Sequence, residues 1–217
     1  MGIDLAGVPE RESGVAVLRG GRLDVLATAR TDEEVLAFAD VAGRWGTVAI
    51  NAPLTRPLGR CCLDDDCRCR HDPGTRSRQL ERELARMGIP TLATALLKVL
   101  ARRGMRIATA LRARGCEPLE VYPFATLRLL GLPCSGKRTP AGRRRIQRAL
   151  RAWVPGLNHP KATEHQLDAV ACALTALCWR LGQARAVGLA EEGLMTIPDL
   201  GADPDPGAWR HHLGIDP

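Results

Sequence analysis

The chain has few aromatic residues and no long apolar run. Phe, Trp and Tyr together make up 3% of its 217 residues. Proteins that hold single-stranded nucleic acid without sequence preference usually stack bases on such side chains, so that class is disfavoured. No apolar stretch approaches the roughly 20 residues needed to cross a bilayer. The first residues also lack the basic and apolar regions of a signal peptide. We therefore expect a cytoplasmic protein with no membrane partner.

Lysine is scarce as well, and arginine dominates the basic side chains. The chain has three lysines and a formal net charge of +7. Arginine side chains match the geometry of phosphate, which favours a nucleic-acid or nucleotide partner. A GC-rich genome that favours Arg and Ala codons explains the same composition equally well. The charge alone therefore leaves the partner open.

Cysteine, in contrast, is abundant, and four of the eight cysteines lie close together. Without a secretory signal, we expect all eight to be reduced thiols. The cluster and a nearby histidine offer enough ligands for a tetrahedral Zn²⁺ site. Its members are Cys61, Cys62, Cys67, Cys69 and His71. The spacing matches no standard zinc finger, and the Cys-x-Cys step is tight for one ion. The pattern therefore favours a reactive, flexible loop over a zinc site.

Strand signals recur along the chain. Residues 1–6 are typical of a short strand, and Gly20 with Gly21 marks a two-residue hairpin between the next two strands. Further strands are expected at about 47–50, 118–122 and 194–197. The short, fully apolar segments among them are typical of the buried middle of a sheet.

Helix signals lie between these strands. Thr31 and Thr163 are each followed three residues later by Glu or Gln, a pattern that predicts the start of a helix. The alternation predicts a mixed α/β sheet with helices on its faces. We expect one domain over residues 1–200, with an irregular Cys-rich loop at about 55–77 and a polar tail at 201–217.

Polar side chains interrupt the apolar runs near the expected ends of strands and helices. Asp4, Asn51 and Glu120 lie in or after strands, whereas His165 and Asp168 share one side of the capped helix. Taken singly, each acid has an ordinary explanation. Asp4 can cap a turn, Glu120 can face solvent on an edge strand, and the His–Asp pair can lie on the surface.

Taken together, the three acids indicate a metal site. A carboxylate inside an apolar run is costly without a partner. Asp4, Glu120 and Asp168 come from separate elements, as the oxygen ligands of Mg²⁺ or Mn²⁺ do. Such sites cut phosphodiester bonds by activating water and stabilising the leaving oxygen. His165 is then a further ligand or a proton carrier.

The order of these residues resembles the ribonuclease H-like superfamily. The segments around Glu120, Lys137 and His165 resemble the RuvC-type Holliday-junction resolvases. Several motifs are similar to an uncharacterised family of predicted ribonuclease H-like nucleases (domain of unknown function four-twenty-nine). These motifs are GIDLAG at residues 2–7, INAPL at 50–54, EVYP at 120–123, Asp168-Ala169 in a late helix, and Gly193 after two glutamates. The resemblance covers nearly the whole chain.

The resemblance implies a fold, a chemistry and a set of residues. The fold is a ribonuclease H-like α/β fold, a mixed five-stranded or slightly larger sheet with helices on both faces. The activity is hydrolysis of phosphodiester bonds, dependent on Mg²⁺ or Mn²⁺. Asp4, Glu120 and Asp168 are implied as catalytic metal ligands, with His165 as an accessory ligand or acid/base. Because RuvC-type enzymes are dimeric, a homodimer is also implied.

Asn51 departs from the family pattern, which commonly has Asp at this position. An Asn carbonyl can still coordinate a metal, but it removes one negative charge from a site for two dications. We therefore expect weaker cation binding, and a one-metal or inactive site is an open alternative.

Phosphate contacts are expected from basic side chains near these motifs. Lys137 lies in a Gly-containing loop after the Glu120 strand and resembles the lysine of the resolvase loop. Arg76 and Arg138 are further candidates among two groups of arginines. A solvated, arginine-rich helix face is the alternative for the second group.

Two other classes of protein compete with a nuclease. The first is a non-catalytic relative that binds nucleic acid or protein, which Asn51 and the scarcity of aromatics favour. The second is an actin- or hexokinase-type phosphotransferase, which requires a second Gly-rich phosphate loop that the sequence lacks. The substrate stays open among RNA, DNA, a branched junction and a nucleotide.

Overall fold

The computed structural model describes residues 1–42, 46–71, 76–201 and 204–214, which form seven strands and seven α-helices. The strands are β1 (Gly2–Asp4), β2 (Ser13–Arg19), β3 (Arg22–Ala29), β4 (Ala49–Asn51), β5 (Leu119–Val121), β6 (Ala184–Leu189) and β7 (Gly193–Pro198). The helices are α1 (Asp32–Ala42), α2 (Gln79–Arg86), α3 (Lys98–Ala113), α4 (Pro123–Leu129), α5 (Pro140–Arg151), α6 (Glu164–Arg180) and α7 (Pro206–His212). None of the helices in these ranges is long and apolar enough to cross a membrane.

The strands form one mixed sheet in the order β3-β2-β1-β4-β5-β7-β6. β1, β2 and β3 are antiparallel neighbours, β4, β5 and β7 continue parallel to β1, and β6 returns antiparallel to β7. The mixed α/β sheet expected from the sequence is thereby confirmed. Because β1 and β4 are parallel, Asp4 lies beside Asn51 where both strands end.

The register divides the side chains of the central strands between the two faces of the sheet. Ile3, Ile50, Glu120 and Met195 pair in one row across β1, β4, β5 and β7. Paired residues of parallel strands project to the same face, and the next row projects to the other. Asp4, paired with Asn51, belongs to that next row. The side chains of Asp4 and Glu120 therefore lie on opposite faces of the sheet.

Helices cover both faces of the sheet. On one face, Ile107 of α3 lies in a buried cluster with Ile3 and Ile50. On the other face, Cys172 of α6 lies in a buried cluster with Ala49. Helices α4 and α5 pack beside α6. The expected helices on both faces are therefore present.

Two glycines let α6 approach the sheet closely. A Cβ on Gly2 would lie 2.2 Å from the carbonyl oxygen of Ala169, and one on Gly14 would lie 1.9 Å from that of His165. Any larger residue would push the helix away from β1 and β2. The glycines thus place the first turns of α6 next to Asp4 at the end of β1.

Several local predictions are confirmed. Gly20 and Gly21 have φ values of 55° and 76°, as a two-residue turn between β2 and β3 requires. At the start of α6, Thr163 Oγ1 accepts from the backbone N–H of Gln166 at 3.2 Å. The Gln166 side chain accepts from the N–H of Thr163 at 3.0 Å, which completes the capping box.

Two elements differ from the sequence expectation. Strand β6 was not expected, because Ala184–Leu189 is a short segment of small, polar and apolar residues with little alternation. Helix α7 lies in the segment that we expected to be a polar tail. Its Trp209 is buried, with its ring centroid 5.9 Å from that of Trp153. Aromatic packing therefore attaches this part of the tail to the core.

Candidate functional site

Asp4 forms the centre of a hydrogen-bonded network at the ends of β1 and β4. Its side chain is almost fully buried. Asn51 Nδ2 donates to Asp4 Oδ1 at 2.6 Å, and His165 Nδ1 lies 2.7 Å from Asp4 Oδ2. Both carboxylate oxygens therefore have partners from two other elements. The amide nitrogen of Asn51 must face Asp4, because an ionised carboxylate only accepts hydrogen bonds.

Asp168 lies one turn further along α6 and has a cationic partner. Lys137 Nζ, from the loop between α4 and α5, is 2.5 Å from Asp168 Oδ1. Both side chains are mostly buried. The lysine predicted to contact phosphate thus contacts a predicted metal ligand in this structure.

The electrostatics of this group oppose the ionisation of Asp168. Burial and, after it, the negative charge of Asp4 raise the pKa of Asp168, Lys137 and His165 lower it, and the net result is a pKa of about 6. The pKa of His165 is also raised, chiefly by its hydrogen bond to Asp4. Shifted pKa values of neighbouring acids and bases are typical of functional sites.

Two neighbouring cavities lie beside these residues. The first, of about 400 Å³, is lined by Asn51, Asp168, Lys137 and Arg138, among others. The second, of about 480 Å³, is lined by His165 and three basic side chains. Those basic residues are Arg138, Arg143 and Lys161. Arg138 and Glu164 line both cavities, so the two adjoin along the start of α6, with more basic than acidic side chains.

The structure does not bring Glu120, the third predicted acid, together with Asp4 and Asp168. Arg78 Nη1 donates to Glu120 Oε2 at 2.8 Å, Arg78 Nη2 donates to Glu120 Oε1 at 2.5 Å, and Leu54 N donates to Oε2 at 2.7 Å. Arg78 and Glu120 are both buried. The physical reason is the register, which points Glu120 to the face opposite Asp4.

Arg78, the partner of Glu120, is a residue that sequence reasoning missed. Arg78 was one of many arginines near the Cys-rich loop, with no signal that it is buried. For Glu120, the alternation of side chains between the two faces of β5 was the available signal of the direction in which it points. Leu119 and Val121 face α6, as their cluster with Cys172 shows, so Glu120 between them faces away.

The remaining predicted residues lie in different places. Arg138 lines both cavities, whereas Arg76 lies in the segment before α2 and is not among the described residues that line them. The four clustered cysteines come together, with all four Sγ atoms within 4.8 Å of one another. His71 is exposed and does not belong to that group of described residues.

The chain belongs to the family described as "Protein of unknown function (DUF429)", whose model matches residues 2–192. This match confirms the family resemblance drawn from the motifs. A search of curated proteins found no match. Among solved structures, the chain is similar to that of "T. thermophilus RuvC in complex with Holliday junction substrate". The two share 18% identity and a TM-score of 0.42, over 83% of this chain and 94% of that chain.

Proposed function

We propose that the protein is a metal-dependent phosphodiester hydrolase whose site consists of Asp4, Asn51, Asp168, His165 and Lys137. One observation carries the proposal. Asp168 of α6 lines a cavity, and Asp4 at the end of β1 is near enough for its charge, together with burial, to raise the pKa of Asp168 to about 6. A bound cation stabilises two such carboxylates in their ionised forms.

The donor set fits one divalent cation better than two. Two carboxylates and an amide oxygen are hard ligands, which suit Mg²⁺ or Mn²⁺. Glu120 does not contribute a third carboxylate, because Arg78 holds both of its oxygens. Asp4, Asp168 and Asn51 would hold the ion, which when bound neutralises phosphate charge and lowers the pKa of water. Lys137 and the cation would compete for Asp168, so Lys137 would have to leave at least one carboxylate oxygen to the cation.

The side chains themselves position substrate and protons. His165 uses Nδ1 for Asp4, so its Nε2 is the nitrogen that can exchange a proton with substrate or water. Its side chain is 41% exposed and lines the second cavity. Lys137 and Arg138 can bind a phosphate next to Asp168.

The substrate class follows from the charge of the surface. Lys137, Arg138, Arg143 and Lys161 line the two cavities at the start of α6. Basic side chains in such a row bind the phosphate backbone regardless of sequence. We therefore infer a nucleic-acid substrate recognised mainly through its backbone.

The proposal is tested by cleavage of labelled substrates with Mg²⁺ or Mn²⁺. The panel contains single- and double-stranded DNA, RNA, an RNA–DNA hybrid and a four-way junction. At least one substrate should be cut, and Asp4→Asn should lower the rate by at least about 100-fold. Asp205→Asn is the matched control, because Asp205 caps α7 and Asn is an equally good cap.

A second candidate function is a binding module that does not cut. Two features favour it. Asn51 donates a hydrogen bond to Asp4 and adds no negative charge of its own. Lys137 already pairs with the charge of Asp168, so no cation is needed there. Binding of the panel without cleavage by the folded protein, at millimolar Mn²⁺, would establish this function and refute hydrolysis.

Asn51→Asp should strengthen the binding of Mn²⁺. The change replaces a donor to Asp4 with a second carboxylate at a separation of 2.6 Å. Without metal, repulsion should lower the stability of the fold by about 1–3 kcal/mol. With Mn²⁺, the added charge should tighten binding by at least about tenfold, or about 1.4 kcal/mol. Calorimetric titration measures the affinity, and melting curves with and without Mn²⁺ measure the stability.

The chain supplies a matched control for this change. Asn158 is the only other asparagine, and it is exposed. Asn158→Asp adds the same charge away from Asp4 and should leave Mn²⁺ affinity unchanged. Equal Mn²⁺ affinities of the native chain and Asn51→Asp would contradict the assignment of Asn51 as a ligand position.

A further inference from the structure

The sulfur atoms of Cys61, Cys62, Cys67 and Cys69, here called the cysteine cluster, meet in the loop between β4 and α2. All four lie within 4.8 Å of one another. Cys61 Sγ is 3.4 Å from Cys67 Sγ, and Cys62 Sγ is 3.9 Å from Cys69 Sγ. With Zn–S bonds of about 2.3 Å, the sulfurs of a tetrahedral zinc site are about 3.8 Å apart. The cysteine cluster has the dimensions of one such site.

Hydrophobic packing does not explain why these thiols gather. A cysteine without a metal usually behaves as a small buried apolar residue. Cys61 is exposed and the other three are half-buried, whereas Leu63 is the apolar side chain of residues 61–69 that is buried. A short 3-10 turn, Arg68–Arg70, provides the local regular structure. Leu63 attaches the loop to the protein, but burial of the thiols themselves does not explain why the four sulfurs come together.

The surroundings supply positive charge and a hydrogen-bond donor. Arg56 donates to the carbonyl oxygen of Cys61, and Arg60 Nε donates to that of Cys62 at 3.0 Å. The backbone N–H of Asp64 lies 3.5 Å from Cys62 Sγ. Four thiolates around one dication carry a net charge of −2. The two guanidinium groups offset this charge, and the N–H group supports a thiolate as outer partners of metal ligands do.

We propose that the cysteine cluster binds one Zn²⁺ as a structural site. Four sulfur ligands select a thiophilic ion over Mg²⁺, and a closed set of four leaves no position for a reactive water. The turn after Cys67 brings Cys69 to the same side, so the Cys-x-Cys step is not too tight for one ion. The site is separate from the proposed hydrolase site and does not depend on it.

The position of the loop indicates what the ion stabilises. The loop leads from Asn51 in the candidate site to Arg78, which holds Glu120. Asp64 and Asp65 pair with Arg102 and Lys98 of α3, which anchors the same loop to a neighbouring helix. Zinc would fix the shape of residues 61–69 within this loop.

Elemental analysis of the full chain tests the proposal. Protein purified from zinc-supplemented culture, without chelator, should contain one zinc per chain. Cys67→Ser should lose it, and Cys116→Ser should keep it, because Cys116 lies outside the cluster beside the carbonyl oxygen of Gly46. Trypsin should cut after Arg68 and Arg70 faster in the zinc-free protein than in the zinc-bound protein.

A second measurement uses the unchanged chain, so it does not depend on the folding of a variant. Zinc-free protein titrated with Co²⁺ should develop the sulfur-to-cobalt charge-transfer band and visible bands of a tetrahedral thiolate site at one equivalent. A folded protein with neither zinc nor these bands would overturn the proposal. An intact mass that shows two disulfides, zinc retained by Cys67→Ser, or bound iron in place of zinc would each overturn it as well.

Discussion

Asp168→Asn is expected to stabilise the folded protein by about 3 kcal/mol at pH 8. Burial and the charge of Asp4 raise the pKa of Asp168 from 3.8 to about 6, so the ionised side chain destabilises the fold. Each pKa unit corresponds to about 1.4 kcal/mol, and asparagine resembles the protonated acid. The melting temperature should rise by about 6–12 °C for a domain of this size.

The pH dependence identifies the cause of this stabilisation. A carboxyl group whose folded-state pKa is raised destabilises the fold above that pKa, and the penalty disappears as the pH falls toward the unfolded value. The difference between Asp168→Asn and the native chain should therefore be largest above about pH 6 and vanish near pH 4. Chemical denaturation at several pH values measures it. Destabilisation by Asp168→Asn at pH 8 would mean that the ion pair with Lys137 outweighs the cost of burial.

Mn²⁺ connects this result to the proposed function. A cation at Asp4 and Asp168 should stabilise the native chain and reduce the advantage of Asp168→Asn. The control Asp205→Asn should have the stability of the native chain without metal, and Mn²⁺ should stabilise both by the same amount. A carboxylate that lowers stability until a ligand binds fits the general conflict between activity and stability at functional sites.

The sequence could predict those parts of the site that depend on local signals. The capping box at Thr163 predicts where α6 begins, and with it the side of the helix that carries His165 and Asp168. Asp4 and Asn51 end short strands, and the parallel pairing of β1 with β4 brings them together. The start of α6 and the ends of the two strands follow from caps and periodicity, which are local properties of the chain.

The remaining parts depend on pairing that local signals do not contain. Glu120 shares the face of Ile50 because of the register between β5 and β4, and a shift of one residue would have placed it with Asn51. Arg78 is distant in sequence from Glu120, so nothing near it in the chain reveals its partner. The fold of the cysteine loop likewise follows from contacts across the loop.

Arg78→Met is expected to destabilise the protein by about 3–5 kcal/mol, because it leaves Glu120 buried without a counter-charge. Arg78 also contacts Thr55 Oγ1 at 2.9 Å and Glu81 Oε1 at 3.3 Å, so its loss affects the loop after β4 and the first turn of α2 as well. Denaturant unfolding at neutral pH measures the loss. Arg82→Met is the matched control, since Arg82 is exposed and should tolerate the change within about 0.5 kcal/mol.

The double variant Arg78→Met/Glu120→Gln separates a structural ion pair from a metal ligand. Removing both charges should recover much of the stability lost in Arg78→Met, with a coupling of about 1–3 kcal/mol in the double-mutant cycle. Glu120→Gln alone should leave Mn²⁺ affinity unchanged, whereas Asp4→Asn should abolish it. If Glu120→Gln weakened Mn²⁺ binding as much as Asp4→Asn, Glu120 would have to reach the ion. Because the register points Glu120 to the face opposite Asp4, that result would require a rearrangement of β5 on metal binding.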